Sequence, residues 1–142
     1  MYLQYNINEV SLNTVGEDAD SKTVRQWVSE AEIVATCRVA YTEAISALDS
    51  RSKKGDLGEE DYERIYGAFS SDWNNMTVVD FDDLEAGRLV KKYGINRMAA
   101  IHLSAAKNIQ RAGDTLNLAF SSVDDRLCNA AVSEDMKVLP LT

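Results

Sequence analysis

Apolar residues in this chain alternate between short unbroken runs and longer stretches in which they recur every three or four positions. These are the signatures of buried strands and amphipathic helices. MYL at 1–3 reads as the tail of a first strand. Residues 20–31 follow as a helix, with Ser21 as N-cap and Val24, Trp27, Val28 and Ala31 on one stripe. IVAT at 33–36 suits a strand buried on both faces. Residues 39–53 carry Ala40, Ala44, Ala47 and Leu48 at helical spacing, and Lys53 and Lys54 suit the negative end of that helix. Gly55 and Gly58 interrupt the pattern, and 59–73 predicts a further helix with Tyr62, Ile65, Tyr66 and Phe69 as its inner face.

MTVV at 76–79 reads as a return to a buried strand. Asp82 followed by Glu85 is a capping-box pattern for a helix over 83–93, which Gly94 ends. Residues 97–111 predict an alanine-rich helix stopped by Gly113. LNLAFS at 116–121 is a fourth strand, 124–133 a helix, and KVLPL at 137–141 a fifth strand.

Strands alternating with helices predict the α/β class, a parallel sheet of about five strands covered by helices on both faces. There is no repeat, no low-complexity tract and no Pro/Gly-rich linker; the lone proline is Pro140. One domain over 1–142 is expected. In such sheets ligands collect at the carboxyl ends of the strands, where the winding reverses.

Composition changes this picture little. At 45% apolar and 27% charged residues the chain has the make-up of a soluble globular domain. It starts without the basic and apolar run of a signal peptide and lacks any stretch approaching a membrane span, so a cytoplasmic location without membrane contact is expected. Cys37 and Cys128 are isolated and there is one His, which leaves no zinc constellation and predicts two reduced, largely buried thiols. The net charge of −8 argues against nonspecific binding of duplex nucleic acid through a basic face. It leaves open a nuclease that meets phosphates through a divalent metal, and a basic protein partner.

Three stretches carry a family resemblance: VATCRVAYTEAISAL at 34–48, AAIHLSAA at 99–106 and FSSVDDRL at 120–127. Together they resemble the PIN domain, the fold of VapC-type toxin ribonucleases. The resemblance implies a PIN-like α/β/α sandwich and an endoribonuclease site in which four acidic side chains gather Mg²⁺ or Mn²⁺. Matched position by position, Glu43 and Asp124 fall on two of those acids, as catalytic and metal-holding residues. Ser122 and Asn6 fall on supporting polar positions. Gln4 and Ala99 stand where the other two acids belong. The resemblance further implies a homodimer, an antitoxin-like protein partner and RNA as ligand.

Mg²⁺ is hard and octahedral, held through one or two carboxylates, waters and substrate phosphates. Clustered carboxylates lower the pKa of a bound water and repel one another when the metal is absent. Gln4 and Ala99 relieve that repulsion and remove ligands, so the expected function is an impaired or inactive nuclease acting through RNA or protein binding, with weak or absent binding of Mg²⁺ or Mn²⁺ at Glu43 and Asp124. The alternative is a working single-metal endoribonuclease of a toxin–antitoxin pair using Glu43 and Asp124. Glu9, Asp125 and the Asp80, Asp82, Asp83 group do not replace the missing acids convincingly. An unrelated doubly wound binding module has no glycine-rich phosphate loop to support it.

Each residue also has a plainer reading. Asp124 suits a helix N-cap. His102, on an Ala/Leu face, suits a hydrogen-bonded core position rather than a base. Arg126 suits a solvated helix position, and Trp27 and Trp73 suit core or interface packing. Glu43 is the exception, because an unpaired carboxylate on an apolar helix face is costly.

Overall fold

The computed structural model describes residues 1–4, 19–113 and 117–139, the side chains of 19–21 excepted. Five strands form one parallel sheet: β1 (Tyr2–Leu3), β2 (Ala35–Cys37), β3 (Thr77–Val79), β4 (Ala119–Ser121) and β5 (Lys137–Val138). Six helices flank it: α1 (Ala19–Glu30), α2 (Ala40–Lys53), α3 (Glu59–Asn74), α4 (Asp83–Tyr93), α5 (Arg97–Ala112) and α6 (Asp125–Ser133). The strand order is β3-β2-β1-β4-β5, so the α/β class and the five-stranded parallel sheet are as the alternation predicts. Among the described residues no helix is long and apolar enough to cross a membrane.

Two cores follow from two helix faces. The alanine-rich α5 lies close on the sheet because its buried face is Ala99, Ala100, Leu103 and Ala106; with Tyr2, Phe120, Leu89 and Leu127 this makes the larger core. The smaller one, Ala44, Leu48, Leu57, Ile65 and Phe69, zips α2 to α3. The capping signals act as read. Asp82 accepts from the Glu85 amide at 2.8 Å, Asn96 from the Ala99 amide at 2.8 Å, and Gly94 closes α4 at φ +64, a conformation that favours glycine. Both cysteines are free thiols, Cys37 buried and Cys128 half-buried.

Several expectations need correction. MTVV is not a buried strand: β3 is last in the sheet order, so it has one neighbour, and Val78 is 42% exposed. The buried part of the second strand is Ala35–Cys37, displaced from 33–36, and Ile33 is exposed. Val28 and Tyr66 are exposed rather than on inner stripes, because each helix meets the core along a narrower face than its apolar residues cover. Helix α1 begins at Ala19, which puts Ser21 inside it rather than at its cap. Leu116, Pro140 and Leu141 lie outside the described residues, as do Asn6 and Glu9.

A charged cluster ties α4, α5 and α6 together beyond the sheet. Glu134 follows α6 with its side chain only 5% exposed. One carboxylate oxygen accepts from Arg88 and Lys107, each at 2.7 Å, and the other from Lys92 at 3.2 Å and from the Tyr93 hydroxyl.

Candidate functional site

With strand order β3-β2-β1-β4-β5, winding reverses between β1 and β4, and a crevice is expected at their carboxyl ends. Gln4 follows β1 there, and Ser122 and Asp124 follow β4. Glu43 comes in from the first turn of α2, and His102 from the N-terminal half of α5. The topology therefore delivers most of the residues singled out in the sequence to one end of the sheet.

They divide into two hydrogen-bonded chains. In the first, the Tyr2 hydroxyl lies 2.6 Å from His102 Nδ1, and His102 Nε2 lies 2.5 Å from Glu43 Oε1. Tyr2 and His102 are fully buried, while the Glu43 side chain is 34% exposed. Burial pushes the Tyr2 phenol well above its usual range, with Cys37 and Glu43 adding to the effect. Tyr2 therefore keeps its proton, and the direction of its hydrogen bond with Nδ1 follows the tautomer of the ring. In the tautomer that carries the ring proton on Nε2, the Tyr2 hydroxyl donates to Nδ1 and Nε2 donates to the Glu43 carboxylate. One phenol and one carboxylate thus hold the His102 ring between them.

In the second chain, Ser122 Oγ accepts from the Asp124 amide at 3.0 Å and donates to Gln4 Oε1. The Gln4 amide in turn donates to the Ser121 carbonyl at 3.0 Å, so the gap between β1 and β4 is bridged twice at the switch point. Asp124 Oδ1 accepts from the Arg126 and Leu127 amides at 3.0 and 3.2 Å, which makes Asp124 the N-cap of α6. Ser121 Oγ is buried without a hydrogen-bond partner at the end of β4. Among the described residues no hydrogen bond joins the two chains.

The other candidates are also placed. Ala99 is 1% exposed inside the larger core, so the position matched to a third acid is apolar packing. Arg126 is exposed and donates to the Gly94 carbonyl at 3.3 Å. Asp80 pairs with Arg38 at 2.5 Å. Trp73 packs with Tyr41 and Phe69, without interleaved cations. Tyr2 is the member that sequence reasoning missed. The available signal was a lone His on an apolar face, which requires a buried polar partner somewhere in the fold.

A divalent ion of the kind the resemblance implies needs several free oxygens converging on one point. Here Glu43 Oε1 is engaged by His102, Asp124 Oδ1 by two backbone amides and Gln4 Oε1 by Ser122. Among the described residues no group of three or more His, Cys, Asp or Glu side chains could hold a metal. The described residues do not fit such an ion. What remains open at this end of the sheet is acceptor chemistry: one oxygen each of Glu43 and Asp124, beside the Gln4 amide.

No family model matches the chain, and no curated protein is similar to it. Among solved structures the chain is similar to the crystal structure of PAE2754 from Pyrobaculum aerophilum, at 19% identity, over 91% of this chain and 83% of that one, with a TM-score of 0.60. A likeness at that identity shows the shared fold alone.

Proposed function

We propose that this chain is a PIN-type domain that binds without cleaving, its metal centre exchanged for hydrogen-bonded chains. The observation that carries the reading is the Tyr2–His102–Glu43 chain, which commits the one acid without a structural explanation to the buried ring of His102. The ligand it supports is a basic segment of a protein partner. Two carboxylates without a metal repel RNA phosphates, and a guanidinium or ammonium complements their open oxygens. The net charge of −8 acts in the same direction. A cytoplasmic location and a homodimer belong to the same reading.

One observation favours the rival, a single-metal Mg²⁺- or Mn²⁺-dependent endoribonuclease: Glu43 and Asp124 each keep one oxygen outside the hydrogen bonds described. Calorimetric titration with Mn²⁺ and a cleavage assay on single-stranded RNA separate the two. The binding reading expects no saturable heat at millimolar Mn²⁺ and no cleavage above that of Glu43→Gln. Saturable binding that Asp124→Asn abolishes, with cleavage that Glu43→Gln abolishes, overturns it.

A further inference from the structure

The opposite end of the sheet holds a cavity of about 820 Å³, within the range of small-molecule sites. Its walls are apolar and come from separate parts of the chain: Trp27 of α1, Val79 of β3, Ile109 of α5, and Leu118 and Leu139 beside β4 and β5. It lies at the amino ends of the strands, away from Gln4, Glu43 and Asp124, and nothing in the reading above uses it.

The electrical character of this end follows from the topology. In a parallel sheet the helices that lead into strands finish at the strands' amino ends, so helix C-termini collect there with their unpaired carbonyls and partial negative charge. Helix α1 ends here at Glu30 and has no basic residue in its last turn. The last turn of α5 also lines the cavity, and its one basic residue, Arg111, is turned to Glu85 at 3.4 Å. Among the described residues the charged side chains on the lining are Glu30 and Glu32, with no Lys or Arg. The Met1 ammonium, also on the wall, donates to the Ile33 carbonyl at 2.8 Å. Two carboxylates and two helix C-termini outweigh that one ammonium, whose charge burial disfavours, so the cavity repels anions and attracts cations.

We propose that this cavity binds an amphipathic organic cation, its apolar body against Trp27, Val79 and Ile109 and its ammonium at Glu30 and Glu32. Trp27 contributes twice, as apolar surface and as a ring face for the cation. The site is independent of the carboxyl-end reading and stands whether or not that end ever holds a metal.

The chain has two tryptophans, so Trp73→Phe leaves Trp27 as the sole indole reporter within the full-length protein. Octylamine, octanoate and 1-octanol share one apolar body and differ in the charge of the head. The expected result is a saturable change of Trp27 emission with octylamine, with octanoate weaker by about tenfold and octanol between them. Circular dichroism should stay unchanged throughout. Glu30→Gln with Glu32→Gln should bring the three ligands within about twofold of one another, and Ala112→Phe, which fills the cavity from the end of α5, should weaken all three. Equal binding of octylamine, octanoate and octanol overturns the charge assignment. No saturable change, binding that Ala112→Phe leaves intact, or an emission change that depends on protein concentration alone, as a second copy would give, overturns the site.

Discussion

Glu134 and Glu43 are both carboxylates turned in from helices, yet their surroundings differ in kind. Glu134 has its side chain 5% exposed and takes hydrogen bonds from Arg88, Lys92, Tyr93 and Lys107. Glu43 is a third exposed, and its one described side-chain partner is the His102 imidazole. A carboxylate saturated by cations can only hold elements together. A carboxylate oriented by a single ring at one oxygen keeps the other open and can meet something else. The lesson is that burial alone does not mark a site; what marks it is a costly group whose hydrogen-bonding capacity is left partly unspent.

The same substitution at both positions tests this contrast most directly. Glu134→Gln leaves the Lys107 ammonium, 12% exposed, with a neutral amide in place of its nearer carboxylate and only Glu85, at 3.7 Å, as counter-charge, and should cost about 3 kcal/mol. Glu43→Gln keeps an acceptor for His102 Nε2 at a partly exposed place and should cost less than about 1 kcal/mol. Urea denaturation of the two variants measures the difference, and near-equal midpoints would erase the distinction between them.

The pH dependence of stability sharpens the contrast further. Burial alone would raise the Glu134 carboxyl, but hydrogen bonds from Lys107, Tyr93, Arg88 and Lys92 overcome it and hold the group well below the usual carboxylate range. Hydrogen bonds from Arg88, and then from Arg111, outweigh burial at Glu85 and lower it too. With folded pKa values below the unfolded value of about 4.3, the cluster's contribution is fully present above that pH. It is lost progressively as pH falls below it. Wild-type stability should therefore drop on acidification below about pH 5, and Glu134→Gln should show a visibly shallower drop in the same urea series.

The sequence made one half of this comparison legible and hid the other. Glu43 stood out because a carboxylate on a face of Ala40, Ala44 and Leu48 has no structural excuse. The caps at Asp82 and Asp124 were legible because they depend on neighbours within three residues. Glu134 gave no signal: its cationic partners come from α4 and α5, 27 to 46 positions away, and no local pattern encodes such convergence. Tyr2 and His102, 100 positions apart, were invisible as a pair for the same reason. The misreading of MTVV has a different origin. Apolar runs report β-propensity, and only strand order, a global property, decides which strand ends at the edge.

Tyr2→Phe probes the support behind Glu43. It removes one hydroxyl and leaves His102 Nδ1 buried without a donor, which should cost about 2 kcal/mol. It should also release the tautomer. Nitrogen-15 spectra of the His102 ring should show Nδ1 unprotonated in the wild type and a mixture of tautomers in the variant. An unchanged ring in Tyr2→Phe would mean that Glu43, rather than Tyr2, sets the tautomer, and the chain would have to be read in the other direction.

The smallest effect separates two roles for Asp124. As a cap it needs only an oxygen acceptor at Oδ1; as a metal ligand it needs the charge. Asp124→Ala removes both cap bonds and should cost about 1 kcal/mol, whereas Asp124→Asn should fall within a few tenths of wild type. A ligand that binds only the folded state raises its melting temperature. If Asp124 is a cap alone, millimolar Mn²⁺ leaves the melting temperatures of wild type and Asp124→Asn the same, and the two proteins remain indistinguishable. If Mn²⁺ raises the wild-type value and not that of Asp124→Asn, the open oxygens at this end of the sheet are metal ligands after all. The contrast between Glu43 and Glu134 would then lie between a ligand and a staple.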